Sequence, residues 1–391
     1  MLIKIAVAPY YTLVSPNGML PRYWSTVWAL LTPSGPSSSS RKDAMRHLDY
    51  FYTFCDGRLG PGGLDDALGN SDTSTIVNVL QAFYVELSSR PEHTTYAVRR
   101  WYVAKAFIQN LCSHRRHLGN SWREVEQICV GFPPVRATKS RKPRFVRALP
   151  AAVLADLLKI VNPESERNPF RSHVVRRRNW LLVHMMLLLG LRRSECLVLP
   201  VDALKQGVDP KSGETRWWLN VVEHKDDEDS RFTLPSIKNE QSRRQLPVSP
   251  SLARHIESYV GEFRGEPEHG FLFTSRSGAP LSVESVNNLL TVSSACLSEQ
   301  VAKELTERTN GKNQVSPHDL RHTCAVIRLK QFLSFGISHE EMMQRMRGFF
   351  GWAYESHMPL HYAKAAYEER LADVWSNTFD EHTNILRSLP Q

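Results

Sequence analysis

Pro317-His318-Asp319-Leu320-Arg321-His322-Thr323 places two imidazoles and a guanidinium within one short string. Alone it decides little, because a His behind a Pro is an ordinary hydrogen-bonder at a helix start and His-x-x-Arg recurs by chance. Two outlying segments change the reading. Gly190-Leu191-Arg192-Arg193-Ser194-Glu195 closes a long apolar helical pattern, and Gly351-Trp352 is followed ten residues later by Tyr362. Separately, Arg192 reads as a cation at a helix C-terminus and Trp352 as core. Together the residue types suit work on a phosphodiester. Two guanidiniums bind its non-bridging oxygens in a planar, bidentate way and stay charged at any working pH. Donors fixed in advance in this manner usually make the largest catalytic contribution. A tyrosine, with a free pKa of about 10, serves as an in-line nucleophile once its proton is removed. A general acid must then protonate the leaving oxygen. Nothing in this set calls for metal-binding carboxylates.

The three strings resemble the signature boxes of the tyrosine recombinases, or phage integrases. GLRRSE is similar to the family's first arginine box and HDLRHT to its His-x-x-Arg box. FGWAYESHMPLHYAK is similar to the final box, where Gly-His or Gly-Trp precedes the tyrosine. GFLFTSRSGAPLSVESVNNLL looks like the segment that precedes the second box, and the order of all four agrees. The resemblance covers about residues 146–370. It implies Arg192 and Arg321 as the phosphate clamp, His318 as a phosphate hydrogen-bonder assisting proton transfer, and Trp352 as an N–H donor. It further implies Tyr362 as nucleophile, with Tyr367 and Tyr354 as rivals, and Glu195 as a carboxylate orienting the arginines. The family's catalytic lysine lies on a β-hairpin between the first two boxes. Lys238, in SIKNEQSRRQLPVS, fits its Lys-turn-Arg-x-x-Pro pattern better than Lys225, which sits in an acidic loop.

The resemblance implies site-specific recombination through a 3′-phosphotyrosyl intermediate, for integration or excision of a mobile element. Neither cofactor, ATP nor metal is implied. The partners would be double-stranded DNA, further copies of the chain in a tetramer, and accessory or partner recombinases. Two other readings share part of the pattern: a DNA-binding protein that does not cleave, and a type IB topoisomerase-like enzyme that relaxes DNA without exchanging strands.

The rest of the chain fits a mainly α protein with a small antiparallel β-sheet. Residues 1–32 are rich in Ile, Val, Tyr and Trp and read as extended, with a turn at Pro16-Asn17-Gly18. Residues 33–40 read as a Ser/Pro linker, with Ser40 as an N-cap. Helical spacing over 41–130, near Thr75–Ser88 and Thr94–Cys112 among other stretches, predicts a helical domain resembling the family's core-binding, DNA-contacting domain. Residues 131–149 form a Pro-rich basic linker with no acidic residue. Arg136, Lys139, Arg141, Lys142 and Arg144 in it suit either a solvated tether or a strap along DNA phosphates. Residues 150–391 would be the catalytic domain, with helices through Val153–Val161 and Val174–Leu191. Strands are expected at Arg216–Val222, Arg231–Lys238 and Arg243–Val248. Beyond Tyr362, a tail helix with Tyr367, Leu371, Val374, Trp375 and Thr378 on one face would pack on its own core or dock on a neighbouring protomer.

Composition sets wider bounds. Lys and Arg outnumber Asp and Glu by 49 to 40, a modest excess that suits a polyanionic partner. Six cysteines without a CxxC pair fit a reducing, cytoplasmic compartment. His184, His322 and Cys324 match no standard zinc spacing and read as core or supporting residues. No signal-peptide pattern opens the chain, and its longest apolar run is too short to span a membrane.

Overall fold

The computed structural model describes residues 2–4, 11–15, 20–31, 38–89, 95–115, 119–136, 148–224, 229, 231, 234–309 and 311–362. The chain divides into two compact units, Met1–Pro143 and Arg144–Gln391. It is mainly α-helical with a small antiparallel sheet.

In the first unit, strands β1 (Leu2–Lys4) and β2 (Tyr11–Leu13) pair antiparallel with Leu2 opposite Leu13. Helices α1 (Tyr23–Leu31), α2 (Ser38–Leu59), α3 (Gly63–Gly69), α4 (Thr73–Ser88), α5 (Thr95–Arg115) and α6 (Asn120–Gly131) follow. Helix α4 shows why they form. Asp72 caps it by accepting from Thr75 N at 3.1 Å, and Ile76, Val79, Leu80, Phe83 and Leu87 fall on one buried stripe. That stripe meets Phe51, Trp101 and Phe107 in one aromatic core.

Two expectations fail here. Residues 1–32 are extended only in part, because Tyr23–Leu31 is a helix. Ser25, Trp28 and Ala29, at helical spacing, are its buried face, and packing overrides the β preference of its Tyr, Trp and Val. Ser40 is no cap, since it lies inside α2. The turn residues 16–18 lie outside the described residues.

The second unit begins with α7 (Ala151–Val161), α8 (His173–Leu188) and the short α9 (Arg193–Val198). Strands β3 (Leu204–Val208), β4 (Thr215–Val221) and β5 (Arg244–Val248) form an antiparallel sheet in that order. In it Leu219 stands opposite both Leu204 and Leu246. Then come α10 (Pro250–Ser258), a wider π turn at Tyr259–Phe263, α11 (Val283–Ala295), α12 (Glu299–Arg308), α13 (Pro317–Ser334) and α14 (His339–Phe350).

The sheet differs from expectation at two places. Leu204–Val208 is a strand that the sequence reading passed over, and the described residues of 231–238 are not one. Arg231 is turned inward, donating to the carbonyls of Leu197 at 3.0 Å and Leu281 at 3.2 Å, and Pro235 has no N–H for a ladder. Lys238 therefore lies on a loop ahead of a 3-10 turn, Glu240–Ser242, rather than on a strand.

Candidate active site

The site is built where α8 ends. Gly190 takes φ 60°, and a Cβ there would stand 2.4 Å from Phe350 Cε1 and 3.2 Å from Cys324 Sγ. Only glycine lets the chain turn this close to α13 and α14. The turn presents the Gly190 carbonyl to Arg321 Nη1, while Arg321 Nη2 donates to Phe350 O at 2.6 Å. Arg321 is thus locked between the end of α8 and the end of α14, and it is 3% exposed.

Arg192 precedes α9 in extended conformation, and Glu195 occupies the first turn of that helix. Arg192 N donates to Glu195 Oε2 at 2.8 Å, and Nη1 donates to Oε1 at 2.5 Å and to Ser242 Oγ at 2.9 Å. Its Nη2 reaches the Gly351 carbonyl at 3.4 Å. Arg244, on β5, grips both oxygens of the same carboxylate at 3.2 and 3.1 Å, and Arg321 Nη1 lies 3.7 Å from Oε2. Glu195, wholly buried, is the hub of three guanidiniums. Burial pushes its carboxyl pKa up, but Arg244, Arg321 and Arg192 together outweigh that and hold it down. One carboxylate against three arginines leaves an excess of positive charge. Of the two predicted clamp residues, Arg192 is the more open, with its side chain 22% exposed.

The α13 helix starts with Pro317 behind a reciprocal cap: Ser316 N donates to Asp319 Oδ2 at 2.9 Å, and Asp319 N donates back to Ser316 Oγ. His318 and His322, one turn apart, meet edge to face at 3.9 Å. His318 is exposed on its outer side, yet burial of its base and the charge of Arg321 hold its pKa down. Burial, then the neighbouring His318, lower His322 to about 4.

The Gly351 turn ends α14 with φ 57°, and a Cβ there would approach Ser242 Cα to 2.8 Å. Trp352 then stacks between Phe350, at 4.8 Å, and Tyr362, at 5.4 Å with 11° between planes. Tyr362 is 1% exposed and its hydroxyl is hydrogen-bonded to His322 Nδ1. Burial raises the phenol pKa, opposed by the charges of Arg321 and Arg192.

The structure therefore brings Arg192, Glu195, His318, Arg321, Trp352 and Tyr362 into one neighbourhood. Lys238 is exposed at its edge. The next residue, Asn239, accepts from Ser242 Oγ at 2.5 Å and so joins the Arg192 network. Arg136 is an exposed residue of the first unit, and Lys139, Arg141, Lys142 and Arg144 lie outside the described residues. The same holds for Lys225, Tyr367 and the tail. Three participants went unassigned in the sequence reading: Ser242, Arg244 and His322. Arg244 was legible as the arginine of the Arg-x-x-Pro pattern, whereas Ser242 carries no signal. His184 is stacked on Trp180 at 3.8 Å and bonded to its carbonyl, and Cys324 faces Leu188 O. Among the described residues no group of three His, Cys, Asp or Glu is placed to hold a metal, and no helix is long and apolar enough to cross a membrane.

Residues 149–334 match the phage integrase family, a segment holding Arg192, Glu195, Lys238, Arg244, His318, Arg321 and His322 but ending before Trp352 and Tyr362. Over 108 residues the chain is 29% identical to tyrosine recombinase XerC of Staphylococcus haemolyticus (strain JCSC1435). That alignment spans 26% of this chain and 32% of XerC. Among solved structures, the Tn1549 transposon integrase (residues 82–397) in complex with circular intermediate DNA is similar at 14% identity and a TM-score of 0.44. That likeness covers 89% of this chain and 98% of the integrase. XerH recombinase bound to palindromic difH, a post-cleavage complex, is similar at 12% identity and a TM-score of 0.42, with 85% and 94% covered. What this chain shares with the phage integrase family lies in residues 149–334.

Proposed function

We propose that the chain is a site-specific DNA recombinase, which cleaves and rejoins strands through a 3′-phosphotyrosyl bond at Tyr362 to integrate or excise a mobile element. The observation that carries this is the meeting of three segments more than a hundred residues apart or joined by a long helix pair. Arg192 reaches the Gly351 carbonyl, Arg321 reaches Gly190 and Phe350, and Tyr362 closes onto α13. In this reading Arg192 and Arg321 hold the scissile phosphate, the latter mainly through its charge. Glu195 and Arg244 fix the arginines, His318 hydrogen-bonds the phosphate, and Lys238 swings in to protonate the 5′ oxygen. The bond energy is kept in the phosphotyrosine, so a 5′ hydroxyl from the partner strand displaces the tyrosine without ATP. Double-stranded DNA is the substrate, four copies of the chain act on two sites, and the first unit with the 131–149 segment grips the flanking duplex.

The test is a nicked suicide duplex carrying the cognate site, incubated in EDTA with wild type and with Tyr362→Phe. A covalent adduct on a denaturing gel with wild type alone is the expected result. An adduct that persists in the variant moves the nucleophile, with Tyr367 the first alternative. No adduct despite confirmed binding to the site points to a non-cleaving protein.

A further inference from the structure

A buried phenol is a poor nucleophile until its proton has somewhere to go, and the clamp arginines carry none to accept it. The only nitrogen base in hydrogen-bond contact with the Tyr362 hydroxyl among the described residues is His322 Nδ1. We propose that His322 is a further catalytic residue, the acceptor of the Tyr362 proton. This rests on the recombinase reading above.

Three features of the fold equip it. His322 is half-buried on the first turns of α13, whose reciprocal cap fixes their geometry. Its ring is wedged between His318 at 3.9 Å and Tyr362 at 5.4 Å, so the acceptor nitrogen is aimed rather than free to rotate. The groups that face it are His318, Asp319 and Arg321 on its own helix, Lys312 on the loop before it, and Tyr362. Burial, then His318 beside it, keep the imidazole neutral with its lone pair open to a proton, while Asp319, paired to Lys312 at 2.5 Å, pulls the other way. Nδ1 as acceptor places the resting ring proton on Nε2.

The step balances within the residues named. As Tyr362 Oη bonds to phosphorus, its proton passes to His322 Nδ1. The P–O5′ bond breaks, and the departing oxygen takes a proton from the general acid. In rejoining, the 5′ hydroxyl returns its proton to the general acid as it re-forms the P–O bond, and the departing tyrosine oxygen recovers its proton from His322. The transient imidazolium lies beside Arg321, which favours returning the proton promptly.

Single-turnover adduct formation on the suicide duplex would be measured from pH 5.5 to 9 for full-length wild type, His322→Gln and His322→Asn, each checked by thermal melting. Each would also be run on a duplex with sulfur replacing the scissile 5′ oxygen, a leaving group that needs no proton. The expected result is a loss of about a hundredfold to ten-thousandfold in both variants. Their rates should rise with pH where wild type is flat, and the sulfur duplex should not restore them. Asn keeps a hydrogen-bond acceptor near the Nδ1 position but takes no proton. A wild-type rate in His322→Asn would therefore reduce His322 to a prop and overturn the proposal. Faster cleavage in either variant would overturn it too, since the contact would then restrain the tyrosine. Recovery on the sulfur duplex would shift His322 to the leaving group, again overturning it. No adduct from wild type would instead fail the recombinase reading, and this inference with it.

Discussion

At the scale of single residues, Glu195 sets the electrostatics of the site. A buried carboxylate is costly unless paired and hydrogen-bonded, and here Arg244 grips both oxygens, Arg192 adds one side-chain and one backbone bond, and the Arg321 guanidinium lies close by. Glu195→Gln keeps the shape but leaves the arginines to repel one another. It should cost about 3–5 kcal/mol, the usual penalty for breaking a buried pair, read by urea unfolding. A loss below about 1 kcal/mol, the value of an exposed pair, would mean solvent already screens the cluster. The pH dependence has a definite sign. The folded carboxyl titrates below its ordinary value of 4.5, so its contribution is complete above that pH and is lost as pH falls through the lower folded value. Wild type should therefore lose stability on the acid side of pH 4.5, and Glu195→Gln should lose less over the same range. Arg192, His318 and Arg321 were legible as candidates because short strings that are weak alone fit one chemistry when read together. His322 was in plain sight but read only as a core or supporting residue, since nothing local says that a tyrosine forty residues on will fold against it.

At the scale of elements, α13 carries the greatest share of the site, and its start is specified by Ser316, Pro317 and Asp319 together. Ser316→Ala removes one half of the reciprocal cap and should cost about 1 kcal/mol. Because His318, Arg321 and His322 ride on the first turns, adduct formation should slow by more than the stability change implies. Melting and single-turnover rates on one preparation would check this; an unchanged rate would show that packing alone positions the helix start. Helices with a clear 3.6 period, α4 and α7 among them, were readable from the sequence to within a few residues. The failures share a cause. Tyr23–Leu31 looks like a strand by composition, and becomes a helix because Ser25, Trp28 and Ala29 find a core. Residues 231–238 look like a strand, but Arg231 is spent on the carbonyls of Leu197 and Leu281, which only tertiary structure supplies. Leu204–Val208 contains Lys, Gln and Gly, a weak strand signal, and is recruited by pairing with β4.

At the scale of the whole molecule, each unit has a hydrophobic core of its own, one around Phe51, Phe83 and Trp101, the other around Leu182, Met185 and Leu246. Residues 144–391 expressed alone should therefore melt cooperatively, and so should 1–143; calorimetry of the two pieces checks this, and a broad non-cooperative melt of either would contradict it. The surplus positive charge around Glu195 has a thermodynamic corollary. A site that favours a phosphodiester oxygen in the folded state, and that vanishes on unfolding, links anion concentration to the folding equilibrium. Phosphate or sulfate at a hundred times its dissociation constant stabilises the folded form by about 2.7 kcal/mol. The melting point of the 144–391 piece becomes a gauge of free oxyanion, rising with sulfate at constant ionic strength, while that of 1–143 stays still. With Arg192→Ala the gauge should go dead, giving the affinity of the clamp for its simplest ligand without any DNA in the tube.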